Sequence, residues 1–304
     1  MPPGLATLFT PDLLLRFRDA FVSGDVFFAQ LAPERIADLS ALHLLQSLET
    51  LLASWPRPIE AHLPDLRDEA SSIQVSATDA RKVFANGMAL LFSEANLVSP
   101  TLAAWLSTLR RDLDLSEQTY GRCLIYATPA EKGTAPHFDQ NHNIVVQIHG
   151  TKRWELATNE HVIHPLTRHT IGQVEDPELA TYCESAMPRA MPSKRQTIDL
   201  VPGSILYVPR GMWHQTTSIG ESLALNFTFT APCWADLFVG ALRSRLILSP
   251  AWRETAQGLI DPRNAREATR HLDALLADLV DDLPNWRAQE ILAATESEYP
   301  FGDA

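Results

Sequence analysis

Between residues 123 and 229 the chain falls into short apolar runs, each closed off by turn residues: 123–128, 143–149, 152–157, 197–200, 204–208, 212–217 and 223–229. Runs this brief are too short for stable helices, and many of them at close spacing imply a β-sandwich or barrel. Pro202-Gly203-Ser204 feeds one run and Pro209-Arg210-Gly211 turns the chain into the next. Helical patterns on both sides of this block make the expected class α+β.

The chemistry-bearing residues sit inside the block. His137 and Asp139 lie two positions apart, and an extended chain puts them on one face. A His-x-Asp pair alone is most often an ordinary surface feature. Here a second histidine, His214, follows 75 positions after Asp139, just past the turn at Pro209-Arg210-Gly211. Two imidazoles and one carboxylate on one side of a metal leave positions open, as in non-heme Fe(II) oxygenases. By the same two-residue period Lys152, Trp154 and Leu156 face inward and Arg153 faces solvent. Tyr126 and Thr128 share a strand face leading into the metal loop.

Pro136-His137-Phe138-Asp139-Gln140, the run Ile144-Val145-Val146-Gln147-Ile148-His149-Gly150-Thr151-Lys152-Arg153-Trp154, Val201-Pro202-Gly203-Ser204 and Asn226-Phe227-Thr228 together resemble the JmjC and cupin-type 2-oxoglutarate oxygenases. Within them the pattern is most similar to the ribosomal oxygenase branch, over residues 120–230. The resemblance implies a double-stranded β-helix, a jelly-roll relative. It also implies that His137, Asp139 and His214 hold Fe(II) and that Lys152 pairs with the far carboxylate of 2-oxoglutarate. Thr134, Asn143 and Asn226 stand where relatives place hydrogen bonds to the cosubstrate or to the metal ligands, and from their shared strand face Tyr126 or Thr128 is expected to touch the cosubstrate. The implied reaction decarboxylates 2-oxoglutarate to succinate and hydroxylates a residue of a protein or peptide. Demethylation uses the same metal motif. A small-molecule or peptide natural-product hydroxylase and a non-catalytic metal-binding cupin are the competing readings.

Around this core, residues 1–119 read as a mainly helical flank, 120–231 as the catalytic core and 232–304 as a C-terminal helical segment. Thr10-Pro11 opens a helix ending near Gly24, a longer helix is expected over 33–54, a strand over 88–92, and Ser99-Pro100 opens another helix. Residues 168–195, rich in charge and proline, interrupt the strands and read as a substrate lid or a surface excursion. After Pro232, helices are expected over 234–248, 265–280 and 286–294. Leu272, Leu275, Leu276 and Leu279 form an apolar stripe suited to a homodimer. The 304 residues end before a winged-helix domain of the kind the ribosomal relatives append, which departs from their pattern.

A net charge of −12 excludes a general duplex-DNA binder and suits a basic protein or peptide partner. The three cysteines form no Cys-x-x-Cys, so neither a disulfide framework nor a zinc module is expected. No apolar stretch reaches eighteen residues, and no export signal opens the chain. The expected compartment is the cytoplasm.

Overall fold

The computed structural model describes residues 3–63 and 72–296. It divides into two units, residues 1–115 with 120–230, and 116–119 with 231–304.

In the larger unit the strands are β1 (Phe27–Gln30), β2 (Ile59–His62), β3 (Ser72–Val75), β4 (Ala89–Phe92), β5 (Tyr120–Thr128), β6 (Gly133–Phe138), β7 (His142–His149), β8 (Lys152–Ala157), β9 (His169–Thr170), β10 (Gln196–Leu200), β11 (Ser204–Val208), β12 (Trp213–Ser218) and β13 (Ser222–Thr230). Among the described residues they form an eight-stranded sheet, β1-β11-β7-β13-β5-β4-β2-β3, and a five-stranded sheet, β10-β8-β12-β6-β9. Every pairing is antiparallel. This is the jelly-roll, α+β architecture expected, and each of the seven apolar runs is a strand.

Burial shows why the strands read as they do. On β8, Lys152, Trp154 and Leu156 are buried while Arg153 is exposed and paired with Asp199. Their apolar neighbours Val145, Leu200, Leu206 and Ala224 join Trp154 and Leu156 in one cluster. β13 is buried along almost its whole length because both its faces are covered. Its Leu223, Leu225, Phe227 and Phe229 belong to the main core with Phe17, Leu102, Trp105 and Leu109 of the flanking helices.

The helices Pro11–Ser23 and Pro100–Asp112 form where expected. The side chains of Thr10 and Ser99 accept from the backbone of Leu13 and Leu102, and Gly24 closes the first helix in the left-handed region at φ 71°. The long helix over 33–54 does not form. Its place is taken by short turns at Pro33–Arg35, Ala37–Ser40 and His43–Leu45, then a helix Leu48–Ser54. Leu42 and Ser47 are extended, and Ser47 starts the last helix through a capping box with Thr50. The apolar spacing was real, since Ile36, Leu39, Leu45, Leu51 and Leu52 are all buried. A bent path buries them as well as a straight helix would. β4 forms where a strand was expected, but the flank is less helical than expected, for β1 to β3 extend the main sheet from residues that carried too few positions to show a period.

Residues 168–195 are packed at a few points and otherwise largely exposed. They contain β9 and the helix Pro177–Tyr182, and Leu179, Met187 and Met191 cluster with Phe138 and Trp213.

Two turns depend on glycine. Gly150, between β7 and β8, has φ 67° and its missing Cβ would lie 2.0 Å from the Glu221 carbonyl oxygen. A Cβ on Gly133 would lie 1.8 Å from the carbonyl oxygen of Thr216. Gly133→Ala is therefore expected to prise β6 from β12 and cost roughly 1 to 3 kcal/mol or more. An unchanged thermal midpoint would contradict this.

The smaller unit contains helices Trp234–Leu246, Pro262–Asp282 and Ala288–Glu296. Arg245 pairs with Asp282, which holds that carboxyl well below its usual range, and Trp286 donates to the same carboxylate at 2.8 Å. Leu272 and Leu276 are exposed, while Leu275 and Leu279 are half-buried. No helix among the described residues is long and apolar enough to cross a membrane.

Candidate metal centre

His137 ends up opposite His214 because β6 and β12 are neighbours and their register pairs these two positions directly. Strand alternation then sorts the side chains. Phe138 and Trp213 point away and stack edge to face at 4.7 Å between centroids, while His137 and Asp139 point inward together. The backbone N–H of Gly211 donates to the Asp139 carbonyl at 2.8 Å, tying the turn before β12 to the end of β6.

The Nδ1 atoms of His137 and His214 lie 2.7 and 2.9 Å from the carbonyl oxygens of Ala135 and Met212. A carbonyl can only accept, so each Nδ1 carries the proton and each Nε2 offers a lone pair. Those Nε2 atoms lie 3.8 and 3.6 Å from the Asp139 carboxylate. The three donor atoms fall within 4.8 Å of one another, close enough to share one ion at bond lengths of about 2 Å. The indole of Trp154 lies nearly parallel to the His214 ring, with centroids 5.5 Å apart.

Burial works against the charge of Asp139. His137, His214 and Arg168 together with the Asn143 amide outweigh it and hold the carboxyl below its usual range. Asn143 Nδ2 donates to Asp139 Oδ2 at 3.0 Å, and Arg168 Nε lies 3.3 Å from Oδ1.

The triad lines a cavity of about 280 Å³. Lys152, Tyr126, Thr134, Asn143 and Asn226 line it too. Lys152 is buried, donates to the Thr128 hydroxyl at 2.8 Å and has its ammonium 5.7 Å from the centre of the Tyr126 ring. Thr128 thus stands behind the lysine and is not part of the wall. The Thr134 and Thr216 hydroxyls share a hydrogen bond of 3.0 Å. The cavity-lining Asn143 Oδ1, Asn226 Oδ1 and Trp154 Nε1 are buried without a hydrogen-bond partner. Buried polar atoms in that state mark a place where a polar ligand completes the network. The donor set fits a metal, and the Lys152 ammonium with the Trp154 indole N–H fits a carboxylate-bearing small molecule beside it.

Sequence reasoning missed part of the wall. Glu60, His62 and Ser93 come from the flank, Arg122 from β5 and Arg168 from the start of the insert. Glu60 accepts from the Ser93 hydroxyl at 2.8 Å. Nothing in a four-residue strand announces which sheet it joins, so no local signal marked Glu60. Arg168 had one usable signal, its position next to a histidine and a threonine of strand-forming type, which reads only once β9 is known to pair with β6.

The sequence profile of the JmjC domain matches residues 104–237. Over 97% of this chain and 92% of the relative, the chain is 28% identical to the Bacillus subtilis protein YxbC. It is 33% identical, over 40% of its length, to the bifunctional lysine-specific demethylase and histidyl-hydroxylase NO66 of Drosophila pseudoobscura pseudoobscura, and 28% identical, over 52%, to rat ribosomal oxygenase 2. Those two matches span only 12% and 33% of the relatives' own lengths. The structure of Escherichia coli ycfD superposes with a TM-score of 0.50 at 16% identity, over 86% of this chain and 67% of that one, a likeness of fold. The stretch that matches the JmjC domain profile holds the whole triad, and over it the chain is similar to the NO66 proteins and the ribosomal oxygenases.

Proposed function

We propose that this chain is an Fe(II)- and 2-oxoglutarate-dependent oxygenase that hydroxylates a residue of a protein or peptide. The observation that supports it most is one cavity holding both a His-Asp-His donor set and a buried lysine ammonium. Across the β8–β12 ladder His214 stands opposite Leu156, four residues or roughly 13 Å of extended chain from Lys152. The lysine side chain closes part of that gap, leaving room for a short dianion with one end at the metal and the other at the ammonium. A cupin that only bound metal would need no such buried cation.

His137, Asp139 and His214 are the ligands, and two imidazoles with one carboxylate leave positions for a chelating keto acid and for oxygen. When bound, iron and 2-oxoglutarate supply the oxidising chemistry, giving succinate, carbon dioxide and one oxygen atom on a substrate C–H. The protein's part is placement. Lys152 answers the far carboxylate, Thr134 and Asn226 offer polar atoms along its length, and Asn143 steadies Asp139. The Tyr126 ring forms a wall beside the ammonium, and Val145, Leu124 and Ala224 keep the surroundings apolar.

The NO66 relatives carry both hydroxylase and demethylase in their name. Incubating the iron-loaded protein with 2-oxoglutarate and candidate peptides distinguishes the two: the reading expects succinate release and a product heavier by one oxygen atom. Formaldehyde release would instead mark demethylation, and absence of 2-oxoglutarate turnover would refute the reading. A small-molecule substrate is the second reading, favoured by Glu60 and Arg122, which bring opposite charges to the wall of a compact cavity. Free amino acids belong in the same assay. The net charge of −12 favours a basic protein over nucleic acid as partner, in a cytoplasmic setting.

The proposed division of labour keeps residues 1–119 as support, 120–231 as the catalytic core and 232–304 as a dimerisation segment. By itself the smaller unit has no fully buried side chain among described residues 231–261 and 263–293, too little core for so many helices. A second copy covering Leu272, Leu275, Leu276 and Leu279 would supply one. The double variant Leu275→Glu with Leu276→Glu is expected to turn a dimer into a monomer with its β-sheets intact. Light scattering that finds the unaltered protein monomeric at about tens of micromolar would rule this out.

A further inference from the structure

Arg168 is the first residue of the insert, and it reaches the metal centre from outside the two strands that carry the ligands. β9 pairs with β6 through His137↔Thr170 and Phe138↔His169, and continuing that ladder by one residue sets Arg168 opposite Asp139. Cross-strand neighbours of opposite charge interact. Here the guanidinium Nε lies 3.3 Å from Asp139 Oδ1, with both side chains largely shielded from water.

The segment bearing Arg168 is held in place by several independent contacts. Ile171 N–H donates to the Pro136 carbonyl at 2.9 Å. Arg210, in the turn before β12, donates to the carbonyl oxygens of His164 and Pro165 at 2.6 and 2.9 Å. Gly211, at φ 83°, leaves no space for a side chain, since a Cβ there would meet Pro165 at 2.9 Å. On the reverse side Leu179 packs with Phe138 and Trp213, the residues that alternate with the ligands. The insert therefore packs behind both ligand-bearing strands and sends one cation round to the front.

Asp139 is thereby held at three atoms. Gly211 takes its backbone carbonyl, Asn143 takes Oδ2 and Arg168 takes Oδ1. A carboxylate on a free rotamer must be ordered each time an ion binds, whereas one already clamped pays no such entropy.

We infer that Arg168 is a positioning residue, clamping Asp139 so that its carboxylate meets the metal in a single orientation, and that the insert's packing thereby sets metal affinity. This rests on the Fe(II) reading and goes beyond it, because it assigns the insert a role at the metal in place of one at the substrate.

The test reads Co(II) binding to the purified full chain, without turnover, by calorimetry and by the visible absorption bands of the bound ion. Loss of an outer hydrogen-bond partner of a ligand typically weakens metal binding ten- to a hundredfold. Arg168→Gln is expected to weaken Co(II) binding by about that factor and alter the bands, with the metal-free melting temperature little changed. Arg168→Lys, which restores the cation, is expected to recover part of the loss. Should the Gln variant not fold, Arg168→Met takes its place with the same expectation. Co(II) affinity within about twofold of the unaltered protein in the Gln or Met variant overturns the inference, as does a Lys variant no better than Gln. His137→Ala separates this from failure of the parent reading. If that variant also binds Co(II) normally, the metal centre itself is wrongly assigned; if it alone loses binding, only the role of Arg168 fails.

Discussion

Alanine at His137, Asp139 or His214 is expected to abolish iron binding and turnover, with each single substitution sufficient. Only three protein donors converge on the site among the described residues, so removing one leaves two, too few to hold the ion against water. The fold should survive. Phe138 and Trp213, which anchor β6 and β12, point away from the site and keep their contacts. Removing Asp139 leaves Arg168 beside two imidazoles without their carboxylate, so the aspartate variant should show the largest change in local structure. Iron stoichiometry by metal analysis checks the expectation, and unchanged stoichiometry in all three variants would sink the assignment.

Lys152→Ala is expected to weaken 2-oxoglutarate binding by about ten- to a hundredfold while leaving metal affinity nearly intact. A charge-assisted hydrogen bond to a carboxylate contributes roughly 1.5 to 3 kcal/mol, and here it forms in a site shielded from water. Because Lys152 bonds the Thr128 hydroxyl, the cation is held in place and little ordering remains to oppose binding. Lys152→Arg keeps the charge but not the shape, and should fall between the two. Calorimetry with the iron-loaded proteins measures this directly. Equal 2-oxoglutarate affinity in Lys152→Ala and the unaltered chain would place the cosubstrate elsewhere.

The insert shows what a compositional signal leaves out. Charge and proline over residues 168–195 looked like a mobile excursion or a lid. Within a largely exposed segment, Leu179 is buried and Met187, Met191 and Tyr182 pack around it, against aromatic residues contributed from strands far away in the chain. Sparse apolar residues in a polar stretch carry little periodic signal. They become a core only where the rest of the molecule supplies the other half.

A similar limit explains the flank. The helix at Pro11–Ser23 was legible because its cap, first proline and closing glycine act within a few residues of each other. The apolar spacing over residues 33–54 was equally visible, but a capping box at Ser47 and extended backbone at Leu42 break the segment. β1 and β2 were invisible because strand identity in so short a run comes from the partner, β11 for one and β4 for the other.

What the amino-acid sequence determined by itself was everything governed by short spacing: the seven core strands, the inward parity of Lys152 and Trp154, and the shared face of His137 and Asp139. Parity in an extended chain is a local property, so it needs no partner to be read. The tertiary structure alone decided which distant groups meet these residues. Arg168 comes to Asp139 through the β6–β9 ladder, Glu60 and Ser93 reach the cavity through β2 and β4, and the insert closes over Phe138 and Trp213. Those placements depend on strand pairings and burial between residues far apart in the chain, where chain entropy erases any local pattern.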